Sequence, residues 1–192
     1  MHRMALSHLE TRGERRSLYR ILYYDCPPIS KRVHDPTSGR AIDFSRTPVA
    51  VWRIEYLRHL TRLRKLALRL GRLNERAGHW VLRTGVLADL LQGRLNAADL
   101  TESHVQYDVR QKGVDMRLGL DIASLAYKRQ VDQIVLVSGD SDFVPAAKLA
   151  RREGIDFVLD PMWATIASDL AEHVDGVRSV LPRLGQDADS ST

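Results

Sequence analysis

A short aliphatic segment that ends in a glycine turn restricts the fold of this chain more than any other feature. Residues Ile134–Val137 are all aliphatic, which is typical of a strand covered on both faces, and Ser138-Gly139 breaks the run. The neighbouring patterns predict an alternation of strands and helices, which indicates an α/β fold with a mostly parallel sheet. From residue 104 the predicted order is strand His104–Arg110, helix 116–129, strand Ile134–Val137, helix Phe143–Arg152, strand Ile155–Leu159 and helix Ala164–His173.

The first hundred residues show other patterns. An aromatic and β-branched run predicts a strand over Tyr19–Asp25, and the prolines and turn formers of residues 30–48 predict an exposed loop. Apolar residues at helical spacing predict one long amphipathic helix from Val49 to about Leu70, with an outer face rich in arginine. Residues 78–100 predict a short strand or turn followed by a further helical piece.

The charge of the chain is unevenly distributed. Residues 1–110 carry a net charge of +9 and residues 111–192 a net charge of −4, which together give the overall +5. This asymmetry suits an enzyme that binds a polyanion with one surface and a metal ion with the other. Arginine-rich solvated helices beside an ordinary acidic domain would produce the same asymmetry.

Other counts exclude several classes of protein. A single cysteine, Cys26, excludes a disulfide framework and a four-thiolate zinc site. No apolar run approaches the roughly 18 residues that a membrane-spanning helix requires, and the N-terminus lacks the apolar stretch of a signal peptide. The phosphate-binding glycine loops of nucleotide-dependent enzymes are absent from the sequence. We therefore expect a soluble cytoplasmic protein with no membrane partner.

Acidic residues follow the predicted strands where α/β proteins place their sites. Asp140 and Asp142 come directly after Ile134–Val137, at the carboxyl end of a strand, where ligands of such sheets bind. Two carboxylates on one turn are costly unless a cation neutralises them, and Mg²⁺ or Mn²⁺ is the natural candidate. The alternative is that Asp140 only caps the helix that follows.

A second acidic position lies at another strand-to-helix junction. Asp115 follows the strand His104–Arg110 and stands where a helix N-cap is predicted. Asp121 lies in an otherwise apolar stretch, so it either faces the same metal pocket or pairs with a neighbouring cation. Basic residues near these acids either hold substrate phosphates or pair with the aspartates themselves. The predicted substrate-binding residues are Arg110, Lys112, Arg117 and Ser138.

Three segments of the chain resemble the NYN domains of the LabA-like group, which are relatives of the PIN-domain nucleases. These segments are Lys112-Gly-Val-Asp-Met-Arg-Leu-Gly-Leu-Asp121, Ile134-Val-Leu-Val-Ser-Gly-Asp-Ser-Asp-Phe-Val-Pro145 and Ala150-Arg-Arg-Glu-Gly154. The segment Arg20-Ile-Leu-Tyr-Tyr-Asp25 is similar to the second strand of that family. The resemblance spans most of residues 19–180 and is weakest in the arginine-rich residues 49–76.

The resemblance implies a PIN-like, three-layer α/β/α sandwich and a metal-dependent ribonuclease site. It implies that Asp115, Asp140 and Asp142 are catalytic and bind Mg²⁺ or Mn²⁺, and that Asp121 completes or supports the cluster. The reaction would be hydrolysis of RNA phosphodiesters, in which bound metal lowers the pKa of the attacking water. Such a protein would be an endoribonuclease.

The chain also departs from the family pattern. Family members open with a strand that ends in an Asp-Gly-x-Asn-like motif, and this sequence contains no such motif. Either Met1 is an internal methionine of a longer reading frame, or the chain lacks the first strand and its acid. In the second case we expect a catalytically impaired NYN domain that binds RNA or protein as a regulatory module. An unpaired sheet edge would also favour a homodimer.

These observations predict a simple domain organisation. Residues 1–184 are expected to form one NYN/PIN-like domain, incomplete at its N-terminus relative to the family. Residues 49–100 are expected to be a helical insertion within it. Residues 185–192 are expected to form a disordered tail.

Overall fold

The computed structural model describes residues 2–11 and 14–183, so the predicted disordered tail, residues 185–192, lies outside the described residues. The helices are α1 (His2–Ser7), α2 (Pro48–Leu60), α3 (Val86–Leu91), α4 (Val114–Tyr127), α5 (Val144–Arg152) and α6 (Ser168–Ala171). The strands are β1 (Glu10–Thr11), β2 (Glu14–Arg15), β3 (Ile21–Asp25), β4 (Arg32–His34), β5 (Ala41–Asp43), β6 (Leu66–Leu70), β7 (Arg72–Leu73), β8 (His79–Leu82), β9 (Val105–Asp108), β10 (Gln111–Lys112), β11 (Gln133–Leu136), β12 (Asp156–Leu159) and β13 (Gly176–Val177). Single 3₁₀ turns lie at Phe44–Arg46, Glu75–Ala77, Ala97–Asp99, Glu102–His104 and Ser141–Phe143.

The chain divides into two compact units. Unit 1 comprises residues 1–22, 64–67 and 115–192, and unit 2 comprises residues 23–63 and 68–114. Unit 2 has 14 Lys and Arg residues against 9 Asp and Glu residues, whereas unit 1 has 15 of each. The excess positive charge of the chain therefore lies in unit 2.

Unit 1 contains a three-stranded parallel sheet in the order β11-β12-β13. In its register, Phe157 of β12 lies beside Ile134 of β11, and Leu159 lies beside Leu136. Phe157 and Leu159 are fully buried, as expected for the central strand of a covered sheet. Because the strands are parallel, the carboxyl ends of β11 and β12 lie side by side, and the residues that follow them share one edge of the sheet.

Helices α4 and α5 each bury a single stripe of side chains. Helix α4 lies two residues earlier than the predicted helix 116–129, and its apolar residues Met116 and Leu120 are 73% and 63% exposed. Helix α5 packs against β12 and buries Ala147 and Ala150, whose small side chains permit a close approach. The buried residues of α4 are spaced at intervals of four: Val114, Leu118, Ile122 and Ala126.

Unit 2 contains antiparallel strand pairs and the helices α2 and α3. The pairs are β4–β5, β7–β10 and β8–β9. Helix α2 starts where the sequence provides a cap: the hydroxyl of Thr47 accepts a hydrogen bond of 3.2 Å from the backbone N–H of Ala50, and Pro48 occupies the first turn. The helix buries Ala50, Leu57 and Leu60.

The predicted long helix from Val49 to Leu70 is wrong in its second half. Helix α2 ends at Leu60, and Lys65 takes a left-handed conformation with φ 60°. Residues Leu66–Leu70 then form β6, which pairs with β3. Leucines that alternate at every second position satisfy a strand as well as a helix, so the periodicity alone could not separate the two.

This correction removes the predicted cationic helix. Arg58 lies in α2, Arg62 in the turn that follows it, and Arg69 in β6. These arginines therefore do not share one helix face. The expected helical insertion at 49–100 likewise contains the strands β6, β7 and β8.

Three smaller differences concern connecting segments. The predicted loop 30–48 contains the hairpin β4–β5, and the predicted helix Ala164–His173 shortens to the four residues of α6. The β-branched Thr165 and Ile166 have low helix propensity and lie outside α6. Strand β13 had no counterpart among the sequence predictions. Among the described residues, no helix is both long enough and apolar enough to span a membrane.

Candidate active site

The turn that follows β11 carries the two acids predicted to be central to the site. The hydroxyl of Ser138 accepts a hydrogen bond of 3.2 Å from the backbone N–H of Asp140, and Asp140 Oδ1 accepts one of 3.0 Å from the N–H of Asp142. Both aspartates are exposed, whereas Phe143 is buried and anchors the turn. The structure thus brings Ser138, Asp140 and Asp142 together at the carboxyl edge of the parallel sheet.

Asp140 also has the structural role that the sequence left open. It is the N-cap of the 3₁₀ turn Ser141–Phe143, which leads directly into α5. This cap occupies Oδ1 of Asp140. The second carboxylate oxygen, Oδ2, has no part in the cap, so capping and ligand binding are compatible.

Gly139 lets a second loop approach this turn. A Cβ added at Gly139 would lie 3.0 Å from the carbonyl oxygen of Thr165. Thr165 belongs to the loop that follows β12. The loops after β11 and β12 are therefore packed against each other beside the aspartates.

Asp115 and Asp121 lie in α4. Helix α4 begins at Val114, so Asp115 stands in its first turn and not at the predicted N-cap position. Asp115 is exposed, and a negative charge there interacts favourably with the helix dipole. Six residues of helix separate Asp115 from Asp121 by about 9 Å along the axis and about 120° around it. Asp121 is half-buried and engaged in an interaction of its own.

No ready-made metal cage is present in the described part of the chain. Within residues 2–11 and 14–183, no group of three His, Cys, Asp or Glu side chains is placed to hold one ion. Over the same residues, Arg117 is exposed and forms no salt bridge with Asp115, Asp140 or Asp142. The convergence of the four aspartates remains a prediction.

A comparison with known families now adds to these observations. A family model, the NYN domain, matches residues 48–180, more than two thirds of the chain. The chain belongs to the NYN domain family. Membership implies a PIN-like α/β fold and, in general terms, a nuclease function of the ribonuclease type, and NYN nucleases typically depend on divalent metal ions. No curated protein and no solved structure matches the chain.

The NYN match includes every residue that the sequence predicts for the site. It also covers residues 49–100, which the motifs alone mark as an insertion. The two acidic motifs and the strands around them therefore belong to one family domain.

Unit 2 of this NYN chain brings two of the predicted phosphate-binding residues into one cavity. Arg110 and Lys112 line a cavity of about 240 Å³ together with Asn74, His79 and Asp108. The backbone N–H of Asn74 donates to the carbonyl of Arg110 at 2.9 Å, and His79 lies opposite Asp108 in the β8–β9 pair. Asn74, His79 and Asp108 could not be identified from the sequence, because only strand pairing brings them beside Arg110.

Asp25 makes structural contacts in this NYN chain. Its carboxylate pairs with Arg53 and accepts a hydrogen bond of 2.7 Å from the backbone N–H of Cys26. The hydroxyl of Tyr23 lies 3.5 Å from Asp25 Oδ2. Burial raises the pKa of Tyr23 to about 12, and the negative charge of Asp25 adds to the rise. Cys26 is buried.

Sequence reasoning missed one acid at the sheet edge of the NYN domain. Asp160 directly follows β12, is only 1% exposed, and lies 2.9 Å from Nε2 of the buried His8. Its other oxygen accepts a hydrogen bond of 2.8 Å from the backbone N–H of Met162. The Asp160-Pro161 pair, a common turn former after a strand, was the available signal. Nothing in the sequence indicated His8 as the partner.

Proposed function

We propose that this NYN domain is an endoribonuclease of the LabA-like group that cleaves RNA with the help of Mg²⁺ or Mn²⁺ in the cytoplasm. The observation that carries the proposal is the pair of exposed carboxylates, Asp140 and Asp142, on the turn after β11. The carboxyl edge of a parallel sheet is where α/β proteins bind their ligands. The NYN family match supplies the general class of reaction.

The donor set fits a divalent ion of this kind. Mg²⁺ prefers oxygen ligands, keeps several of its waters, and is often held by one or two carboxylates together with substrate phosphates. Asp140 and Asp142 would hold it, with Asp115 as a third acid and Asp121 in support. When bound, the ion would supply an activated water and would neutralise charge on the phosphate. A cage of three protein side chains is not required for this mode of binding.

Each of the chain's own groups has a defined task in this proposal. Asp140 and Asp142 provide the negative charge that recruits the ion to the turn. The hydroxyl of Ser138 accepts from the backbone of Asp140, so its own O–H is available to donate to a phosphate oxygen. Arg117, exposed on α4, is available to a second phosphate.

The proposal is tested by incubating purified protein with single-stranded RNA in Mg²⁺, in Mn²⁺ and in excess EDTA. We expect cleavage in at least one of the two ions and none in EDTA, because two aspartates without a cation cannot neutralise the phosphate. Binding of RNA without cleavage in either ion would overturn the nuclease proposal.

A second candidate function has an observation of its own. Asp140 caps the turn that follows it, and the basic residues Arg110 and Lys112 line a cavity of unit 2. These observations suit a catalytically impaired NYN domain that binds RNA or a protein partner and acts as a regulatory module. A homodimer formed through a sheet edge would suit this role, and sedimentation measurements would detect it.

We expect the cavity in unit 2 to contribute measurably to the affinity of the protein for RNA. Replacing Arg110 and Lys112 with Gln should weaken binding of single-stranded RNA, because two phosphate contacts are lost. The slope of log affinity against log salt should shrink by about 0.7 per contact, or about 1.4 for both. Fluorescence anisotropy over a series of salt concentrations measures both quantities.

A matched variant controls for the loss of charge. R46Q/R94Q removes the same charge from unit 2 at two exposed arginines that pair with Asp43 and Asp89 outside the cavity. It should leave the salt slope nearly unchanged. Equal slopes for the two double variants would show that the cavity does not contact RNA phosphate.

A further inference from the structure

The loop that follows β12 holds two side chains in an unfavourable backbone conformation. Met162 has φ 48° and Trp163 has φ 67°, in the left-handed region that non-glycine residues seldom occupy. The side chains are nevertheless 54% and 53% exposed. Burial of these side chains therefore does not account for the strain, and such strain is often found at functional sites.

Hydrogen bonds on both sides of the loop hold it in place. The buried carboxylate of Asp160 accepts from the backbone N–H of Met162 at 2.8 Å. The backbone N–H of Trp163 donates to the hydroxyl of Ser179 at 3.2 Å, and its indole Nε1–H donates to the carbonyl of Leu181 at 2.7 Å. The indole ring is thus oriented by its own polar atom while half of its surface remains open to solvent.

This ring belongs to a loop that is packed against the aspartate turn. Two residues after Trp163, the carbonyl of Thr165 lies within 3.0 Å of the position that a Cβ on Gly139 would take. Gly139 immediately precedes Asp140. An exposed, oriented indole therefore projects from the loop that borders the predicted phosphate-binding turn.

We propose that Trp163 stacks on an unpaired base of RNA that binds beside the Asp140–Asp142 turn. This inference rests on the proposed function. Aromatic rings are the usual platforms for bases of single-stranded RNA, and a ring that is already oriented loses little freedom on binding. The exposed apolar side chains joined here, Met162, Trp163 and Leu181, form a patch that is small for a protein interface, which favours a base as the occupant. Asp160 acts as a positioning residue, since it holds the loop and does not contact the base.

The other exposed tryptophan, Trp52, differs from Trp163 because one face of its ring is covered. Trp52 is 60% exposed, but its ring stacks on Tyr56 of the same helix at 5.2 Å and an interplanar angle of 7°. One of its faces is already occupied within unit 2. Trp52 therefore serves as the matched control for Trp163.

The test uses the fluorescence of Trp163 alone. The chain has three tryptophans, so the full-length W52F/W80F variant leaves Trp163 as the only indole. In an Asp140→Asn background, which prevents cleavage and removes a charge that repels phosphate, single-stranded RNA should quench this emission in Mg²⁺, whereas an abasic oligonucleotide of equal length and duplex RNA should not. Removing the stack with Trp163→Ala should weaken RNA binding by roughly 5- to 150-fold, the range for one base–aromatic stack. Trp163→Phe should retain part of the affinity, and Trp52→Ala should bind like the wild type.

The outcomes separate this inference from the proposed function. Quenching by RNA, without any cleavage by the wild-type protein in Mg²⁺ or Mn²⁺, supports the stacking role and rejects the nuclease. Cleavage with no quenching, or equal quenching by the abasic oligonucleotide, rejects the stacking role and leaves the nuclease intact. If no nucleic acid alters the emission, the proposal is wrong. Thermal unfolding of each variant verifies that it is folded, and the quenching experiment does not depend on Trp163→Ala.

Discussion

Replacing Asp140 with Asn is expected to abolish metal-dependent cleavage of RNA by this NYN domain. Asn keeps an oxygen that can accept from the N–H of Asp142, so the cap of the Ser141–Phe143 turn survives. The negative charge that a divalent ion requires is lost. The rate should fall by more than about 100-fold, the upper range for residues that only support a metal ligand. Single-turnover cleavage of a labelled RNA in Mg²⁺ and Mn²⁺ measures the effect.

Asp132 provides a matched control for this substitution. It is exposed, lies in the same unit, and precedes β11 where Asp140 follows it. Asp132→Asn should therefore cleave at the wild-type rate. RNA binding by Asp140→Asn should be unchanged or tighter, because a charge that repels phosphate has been removed. Cleavage that persists in Asp140→Asn would place the active site elsewhere.

Replacing Asp160 with Ala should strongly destabilise the fold. Asp160 is 1% exposed, and its carboxylate faces His8, which is 7% exposed. Its removal leaves a buried imidazole and the N–H of Met162 without their acceptor. Each buried donor left without an acceptor costs about 1–3 kcal/mol, so the two together cost about 2–6 kcal/mol. Urea denaturation at neutral pH, followed by circular dichroism, measures the change in the free energy of unfolding.

An exposed acid of the same unit sets the baseline for that measurement. Glu172 is exposed and lies just after α6. Its replacement with Ala should therefore change the free energy of unfolding by less than about 0.5 kcal/mol. If Asp160→Ala were as stable as Glu172→Ala, the buried pair would contribute no net stability and would not explain the strained loop.

The elements with the most regular local patterns could be predicted from the sequence. Strands β11 and β12 and helix α5 lie within about two residues of their predicted limits, because a short buried run between turn formers leaves little ambiguity. The prediction of one helix over Val49–Leu70 is wrong in its second half, where the leucines fit the period of a strand as well as that of a helix. Pairing of Leu66–Leu70 with β3, a segment more than 40 residues earlier, decides its conformation. Local propensity carries no information about such a partner.

The candidate site shows the same difference between local contacts and contacts that join distant parts of the sequence. The turn from Ser138 to Asp142 is one local segment, and the cap that Asp140 forms is one of the two roles that its motif left open. The cavity around Arg110 and the pairing of His8 with Asp160 join residues that are far apart in the sequence. Nothing local in the sequence indicates that the backbone of Trp163 is strained or that its ring is exposed. Such features arise from tertiary packing alone.

The pairing of His8 with Asp160 also affects the order in which parts of the protein fold during synthesis. The two residues are 152 positions apart, and Arg178 likewise donates to the backbone carbonyls of Ser7 and Glu10. At roughly 5–20 residues per second, a ribosome would finish Asp160 about 8–30 s after His8. Unit 2 lies within residues 23–114 and can begin to form its own contacts during that interval. The segment around His8 is therefore among the last parts of the domain to reach its native partners, although it is synthesised well before them.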